Sequence, residues 1–192
     1  MSIKTLSRRE VYSNHWTRVY EDIIERSNGE RGIYGVVEKD PATILVPLEQ
    51  DASGEQYLWL VGQYRYTVKE HFWEFPQGGW EMAEVDLDEL ARGELREETG
   101  LQAGSMTHLG MLWIAYGTMR QEHHVYLAED LTPGPPQNRD KEEHDLEVKR
   151  VTVREFEDML LDGSIRDNCT FAAWGLYKVW RERQNVSKQS GH

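Results

Sequence analysis

Three glutamates lie within five positions of the segment Arg92–Gly100, which reads RGELREETG. Residues three and four positions apart project from the same face of an α-helix, so Glu94, Glu97 and Glu98 would lie side by side. Such like charges destabilise a helix, and Gly93 lowers its stability further relative to alanine. Hard cations such as Mg²⁺ prefer carboxylate oxygens as ligands. The spacing therefore predicts a carboxylate cluster that binds a divalent metal, with a solvated acidic helix face as the alternative.

The residues around this cluster predict an amphipathic helix over 86–99, DLDELARGELREET. Asp86 is a suitable N-cap residue, and Glu89 three positions later fits a capping box. Gly100 suits the position after the last helical residue. The helix follows the glycine-containing loop EFPQGGWEMAE, so main-chain groups of that loop can approach a bound phosphate or metal.

The remaining segments predict short strands around a mostly β core. The first 40 residues predict a hairpin across Asn28 and Gly29, a pair that favours a type I′ turn. Two helices are predicted near the end of the chain, followed by a flexible tail from residue 185. Together these elements indicate an α+β fold with a mixed sheet. The predicted strands after the hairpin cover residues 42–48, 57–66, 72–75, 111–116, 123–128 and 146–153, and the two late helices cover 153–163 and 168–184.

Composition limits the classes of partner. The 192 residues, 39% of them hydrophobic, suffice for one sizeable core. A formal net charge of −12 argues against binding to nucleic acid, although cations can still bridge the chain to a small phosphorylated substrate. The single cysteine, Cys169, excludes an internal disulfide and favours a reducing compartment. With no apolar run of roughly 20 residues, a soluble cytoplasmic protein without a membrane partner is expected.

The loop and helix together resemble a Nudix box. That family pattern is Gly, five residues, Glu, seven residues, Arg-Glu, an aliphatic residue, any residue, Glu-Glu, any residue, Gly and an aliphatic residue. One residue is inserted between the two halves, so the family arginine falls on Arg92 when counted forwards and on Gly93 when counted backwards. The resemblance leaves open whether Arg92 reaches Glu84 through a helix distorted near Gly93, or whether that ion pair is missing. The matching residues are Gly78, Glu84, Glu94, Leu95, Glu97, Glu98, Gly100 and Leu101.

Segments beyond the box resemble the ADP-ribose and nucleotide-sugar pyrophosphatase branch of this family. They are GQYRY (62–66), EFPQG (74–78), YLAEDLTPG (126–134) and LDGSIRDNCTFAAW (161–174). The resemblance implies a Nudix α/β/α sandwich with a mixed β-sheet. It also implies three regions: an N-terminal β element (1–40) for homodimer formation and base binding, a Nudix hydrolase domain (41–184) and a flexible tail (185–192).

The resemblance further implies roles for individual residues. Glu94 and Glu98 are expected to be the principal Mg²⁺ ligands, with Mn²⁺ as an alternative metal. Glu97 is expected to be a shared or bridging ligand, and the Gln77 carbonyl a further one; Glu97 and Glu98 are also the expected catalytic carboxylates. An outer or solvent-facing role is the alternative for Glu97.

The expected substrate-binding residues are Arg65, Trp16, Tyr34, Glu74 and Gly78. Arg65 would contact the diphosphate, and Trp16 and Tyr34 would stack on the base. A surface ion pair is the alternative for Arg65, and ordinary hairpin packing is the alternative for the two aromatic residues.

The expected catalytic base lies in the loop RDKEEHDLEV. Glu143 is the first candidate, Glu142 the second and His144 a third, and a merely solvated loop is the alternative. In GTMRQEHHVY, Gln121 occupies the position where the branch often has a glutamate. The neighbouring pair His123 and His124 is not expected to bind one metal, because adjacent residues of a strand point to opposite faces.

The implied reaction is Mg²⁺-dependent hydrolysis of the pyrophosphate bond in a nucleoside diphosphate linked to a second moiety. ADP-ribose or a nucleotide sugar would yield a nucleoside monophosphate and a sugar phosphate. The alternatives are another Nudix substrate class, such as nucleoside triphosphates, dinucleoside polyphosphates or a coenzyme, and a catalytically silent domain that binds a regulatory ligand.

Overall fold

The computed structural model describes residues 3–79, 86–134 and 145–190. Within these ranges the helices are α1 (Leu87–Thr99), α2 (Val153–Asp162) and α3 (Asn168–Ser190). The strands are β1 (Lys4–Ser13), β2 (Arg18–Glu25), β3 (Arg31–Glu38), β4 (Ala42–Gln50), β5 (Gln56–Arg65), β6 (Glu70–Glu74), β7 (Gln77–Gly78), β8 (Leu101–Trp113), β9 (Met119–Arg120), β10 (Glu122–Pro133) and β11 (Glu147–Thr152).

The N-terminal element is a four-stranded sheet in the order β1-β2-β3-β9. The predicted hairpin is present as the antiparallel pair β2 and β3, but an additional strand, β1, precedes it. Arg8 of β1 donates from Nε and Nη2 to the two carboxylate oxygens of Asp22, each at 2.8 Å, and from Nη1 to Glu38 at 2.9 Å. This guanidinium therefore links three strands of the sheet.

The hairpin turn differs from the predicted type I′ turn. Gly29 has a φ of 84°, but Asn28 does not have a positive φ. The Arg26 N–H donates to the Glu30 carbonyl at 2.8 Å, and the Gly29 N–H donates to the Arg26 carbonyl at 2.9 Å. This pattern is a three-residue loop closed by one left-handed glycine, which needs only one residue at positive φ.

The larger sheet has seven strands and a mixed direction. Its main path is β11-β5-β4-β10-β8, with β6 paired to β5 and β7 paired to β4. β4 and β10 run parallel, whereas the other pairs of this sheet are antiparallel. The predicted α+β fold with a mixed sheet is therefore confirmed.

The two faces of the sheet are covered by different helices. Successive residues of β4 point to opposite faces, so Ile44 and Val46 pack with α2 and α3, whereas Leu45 packs with α1. The first cluster includes Phe156 of α2 and Trp174 of α3. The resulting order of layers, α1, sheet, then α2 and α3, is the predicted α/β/α sandwich.

The helix ends follow the capping chemistry of the sequence. Asp86 accepts hydrogen bonds from the N–H groups of Asp88 and Glu89, and Gly100 ends α1 with a φ of 72°. Helix α3 continues to Ser190, through six residues of the segment predicted as a flexible tail from residue 185. None of those six residues is glycine or proline, so nothing in their backbone chemistry ends the helix. No helix in the described part of the chain is both long and apolar enough to cross a membrane.

Candidate active site

Two buried glutamates of α1 lie against the short strand β7. Glu94 and Glu98 are only 5% and 4% exposed. A Cβ atom built on Gly78 would lie 2.3 Å from Oε2 of Glu94, so only glycine lets the loop approach this carboxylate so closely. On the preceding residue, the Gln77 main-chain N–H donates to Oε2 of Glu98 at 2.9 Å. The structure thus brings Gln77, Gly78, Glu94 and Glu98 together, and their roles at the site stay a prediction.

The oxygen donors of this region suit a hard divalent cation. Glu94 and Glu98 supply buried carboxylates that the loop backbone orients, whereas Glu97 on the same helix is partly exposed. Among the described residues, no three His, Cys, Asp or Glu side chains converge as a finished metal centre. The donor chemistry therefore fits Mg²⁺ at Glu94, Glu98 and the Gln77 carbonyl, and the ligand set as a whole stays a prediction.

Helix α1 carries no distortion at Gly93. The α-helix is continuous from Leu87 to Thr99, and Gly93 is one of its buried residues. Arg92 donates from Nε to Oδ2 of Asp88 at 2.8 Å and from Nη1 to the Ala103 carbonyl at 3.0 Å. The distortion considered near Gly93 is thus absent. Glu84 itself lies outside the described residues.

The loop that carries Gln77 is held by the start of helix α3. The Gln77 side chain donates from Nε2 to Oδ2 of Asp167 at 2.9 Å, and the Phe75 N–H donates to Oγ1 of Thr170 at 2.9 Å. Asp167 also accepts from the Thr170 N–H and hydroxyl, at 2.8 and 2.9 Å. On the sheet side, the Leu45 N–H donates to the Pro76 carbonyl at 2.9 Å. Hydrogen bonds from both sides therefore fix the loop beside the carboxylates.

Arg65 forms a partly buried ion pair and also reaches a cavity. Its Nε and Nη2 donate to the two carboxylate oxygens of Glu74, and Gln63 donates to Oε1 of Glu74 at 2.9 Å. Burial raises the pKa of the Glu74 carboxyl, while the Arg65 guanidinium acts in the opposite direction. Arg65 forms an ion pair with Glu74, which was the alternative considered for it, and it also lines the cavity. The two interpretations of Arg65 are therefore compatible.

This cavity has a volume of about 240 Å³. Trp16, from the turn between β1 and β2, forms part of its wall and is 54% exposed. Tyr34 is not part of the wall; its hydroxyl donates to the Gly117 carbonyl at 2.7 Å. Of the two aromatic residues that were expected to stack on a base, Trp16 therefore lines this cavity and Tyr34 does not. The complete lining comprises His15, Trp16, Lys39, Asp40, Pro41, Ala42, Arg65, Gln77, Gly78, Gly79, Gln121 and His123.

His123 and His124 point to opposite faces of the sheet, as predicted. His123 lines the cavity, whereas Nδ1 of His124 lies 3.3 Å from Nε2 of His108 on strand β8. Burial lowers the pKa of His123 to about 4; the charges of Lys39 and His124 also lower it, and Asp167 opposes the shift.

Several residues of the site were not predicted, among them Lys39, His123 and Asp167. Lys39 directly follows strand β3 of the small sheet, and no local pattern of the sequence marks it. Asp167 stood within the quoted segment LDGSIRDNCTFAAW, and an aspartate one residue before a helix is itself a capping signal. The candidate bases Glu142, Glu143 and His144 lie outside the described residues.

The fold is an α/β/α sandwich with two buried glutamates against a glycine loop, and comparison with known proteins identifies the family. The model of the NUDIX domain matches residues 39–172, and that of the nucleoside diphosphate sugar hydrolase N-terminal domain matches residues 3–37. The chain belongs to the NUDIX family, and within it the chain is a pyrophosphohydrolase.

Similar proteins cover most of the chain. An ADP-ribose pyrophosphatase of Bacillus subtilis (strain 168) is 28% identical over 152 residues, which are 79% of this chain and 80% of that one. An ADP-ribose pyrophosphatase of Mycobacterium tuberculosis (strain ATCC 25618 / H37Rv) is 27% identical over 169 residues, 88% of this chain and 80% of that one. A crystal structure of an ADP compounds hydrolase superposes with a TM-score of 0.81 over 96% of each chain at 24% identity, which supports the fold.

Proposed function

We propose that this chain hydrolyses the diphosphate of ADP-ribose or of a nucleotide sugar, releasing a nucleoside monophosphate and a sugar phosphate. The observation that carries this proposal is the composition of one cavity wall. It joins an exposed indole, Trp16, to two cationic side chains, Lys39 and Arg65, and to Gly78 beside the Glu94 carboxylate. The relatives named ADP-ribose pyrophosphatase support the same substrate class.

Each part of this wall suits one part of such a substrate. Arg65 and Lys39 supply cationic donors for the diphosphate oxygens, and the face of Trp16 can stack on the base. Glu94, Glu98 and the Gln77 carbonyl would hold Mg²⁺, which supplies charge neutralisation and an activated water when bound. We assign acceptance of the proton from the attacking water to Glu143, with Glu142 as the second candidate.

We also propose that the small sheet forms a homodimer interface. β1 is exposed along its whole length, and large apolar side chains of this sheet face outward. Exposed apolar patches on a folded domain usually mark an interaction surface. The side chains of the sheet concerned are Leu6, Val11, Tyr12 and Ile33.

A panel of ADP-ribose, GDP-mannose, UDP-glucose, NADH and ATP, each with and without Mg²⁺, tests the proposal. We expect nucleoside monophosphate from ADP-ribose or a nucleotide sugar, and only in the presence of Mg²⁺. Turnover of ATP or NADH alone would assign the chain to another Nudix substrate class. Nucleotide binding without any monophosphate release would indicate a ligand-binding regulator instead.

A further inference from the structure

His123 forms part of the inner wall of the cavity, on the sheet itself. It lies on β10 directly opposite Ala42 of the parallel strand β4, and the next residue of β4, Thr43, pairs with Gly78 of β7. Only one strand therefore separates His123 from the loop beside the carboxylates. The residue is 6% exposed.

The His123 imidazole has no hydrogen-bond partner in the part of the chain that the structure describes. Neither Nδ1 nor Nε2 is bonded to any described residue, although both are buried. Buried polar side chains nearly always have a partner, because an unpaired polar group loses its hydrogen bonds to water and gains nothing in return. A ring left unpaired at the wall of a ligand cavity is most simply explained by a partner that arrives with the ligand.

The charged groups near the ring do not provide that partner. Asp167 is close enough to influence His123 electrostatically, but its Oδ2 already accepts from Gln77 and Thr170. Lys39 and His124 both disfavour a second positive charge there. The imidazole is therefore neutral near pH 7, with one nitrogen that donates and one that accepts.

We propose that His123 recognises a pentose hydroxyl group of the bound nucleotide, a role that rests on the proposed function. A hydroxyl both donates and accepts, as the neutral imidazole does, whereas a phosphate oxygen only accepts. The same cavity already offers Lys39 and Arg65 to phosphate groups. Since both ring nitrogens are enclosed, the contact requires the ring to rotate or the cavity wall to shift when the nucleotide binds.

The test compares His123→Phe and His123→Gln on three substrates. ADP-ribose carries hydroxyls on both pentoses, its 2′,3′-dideoxyadenosine analogue lacks those of the nucleoside, and the cyclopentylmethyl ester of ADP lacks those of the second moiety. We expect His123→Phe to lower kcat/KM for ADP-ribose about 10-fold, mainly through KM, because a partner is lost at a buried site. His123→Gln, which keeps a donor and an acceptor, should recover part of this loss.

The two analogues locate the hydroxyl that is recognised. The analogue without that hydroxyl should be turned over equally by the wild type and His123→Phe, whereas the other should show the loss seen with ADP-ribose. An equal loss with all three substrates, or no loss with any, would overturn the proposal. His123→Phe should unfold at the same urea concentration as the wild type or a higher one, because it removes an unpartnered polar group.

A spectroscopic measurement separates this proposal from the proposed function. The ring nitrogens of ¹⁵N-labelled His123 should shift when ADP-ribose binds in the absence of Mg²⁺, and shift less with one of the two analogues. If the His123 signals shift as expected but the protein does not hydrolyse ADP-ribose, the proposed function is wrong and the proposed recognition by His123 is supported. If the protein hydrolyses ADP-ribose but the His123 signals do not shift, the proposed function is supported and the recognition by His123 is wrong.

Discussion

Gly78 is the residue at which the loop and the carboxylate cluster meet. Its missing side chain leaves the space that the Glu94 carboxylate occupies, since an added Cβ would lie 2.3 Å from Oε2 and 2.8 Å from Oε1. The atoms in conflict form the end of a flexible side chain, so Glu94 can move aside without unfolding the loop. A substitution here should therefore alter the site much more than the fold.

Gly78→Ala is expected to lower kcat/KM about 10- to 100-fold by displacing Glu94, an effect of the size seen when metal ligands lose their orientation. Steady-state kinetics and thermal unfolding measure the two consequences separately. Gly35→Ala is the matched control, because an added Cβ there meets nothing within 4 Å. A large fall in Tm with unchanged kinetics would contradict this reading of Gly78.

The His123 environment predicts a dependence of stability on pH. The folded chain holds the pKa of His123 near 4, below its ordinary value of 6.5, so the unfolded chain binds the proton more readily between these values. Stability should be complete above about pH 6.5 and fall as the pH decreases towards 4, by up to about 3 kcal/mol from this residue. Urea unfolding of His123→Phe should show a smaller decrease over that range. The same decrease in both proteins would exclude His123 as its source.

The start of helix α3 connects the sheet, the loop and the buried carboxylates of the site. Thr170 is fully buried, accepts from the Phe75 N–H and donates to Asp167. Asp167 in turn accepts from the Gln77 side chain, while the Gln77 main chain donates to Glu98. A short series of hydrogen bonds thus runs from α3 through the loop to α1.

Replacing Thr170 by valine keeps the shape of the side chain and removes its hydroxyl. Thr170→Val should reduce the free energy of unfolding by about 1–3 kcal/mol, because the Phe75 N–H is left unpaired. Thr170→Ser retains the hydroxyl and should lose less. Urea unfolding compares the two, and an equal loss for both would show that the methyl group, rather than the hydrogen bond, matters at this position.

The elements that were predicted correctly are those with a strong local pattern. β4 is a short apolar run, and α1 has its N-cap, its hydrophobic spacing and its final glycine within 15 residues of sequence. β1 was missed because all of its residues are exposed, so burial imposes no alternation on its sequence. The start of β8 was missed because Leu101 follows the helix-ending Gly100 without a separate turn.

The residues of the site likewise differ in whether a local sequence pattern marks them. Glu94 and Glu98 could be proposed from the sequence because their spacing and the glycine loop lie in one segment. Lys39, His123 and Asp167 join the site through pairings between distant parts of the chain, such as Gln77 with Asp167, 90 positions apart. Such pairings depend on the assembled sheet, so the sequence of any single segment does not reveal them.

At the scale of the whole molecule, the small sheet presents an apolar surface that a second copy could cover. Ile33→Glu places a charge on that surface, where the isoleucine is 65% exposed, and should convert a dimer to a monomer. Leu161→Glu is the control, because Leu161 is 87% exposed on α2, away from this sheet. Light scattering coupled to size exclusion gives the mass directly. A monomeric wild-type protein, or an Ile33→Glu dimer, would refute this interface.

The central claim is that the buried carboxylates of α1 support metal-dependent cleavage of a nucleoside diphosphate linkage. The most direct test is the rate of AMP release from ADP-ribose as a function of Mg²⁺ concentration, for the wild type, Glu98→Gln and Glu89→Gln. Glu89 is an exposed glutamate of the same helix and serves as the matched control. We predict release only with Mg²⁺, a fall of at least about 100-fold in Glu98→Gln, and wild-type rates in Glu89→Gln. Undiminished, metal-dependent AMP release by Glu98→Gln would contradict the account.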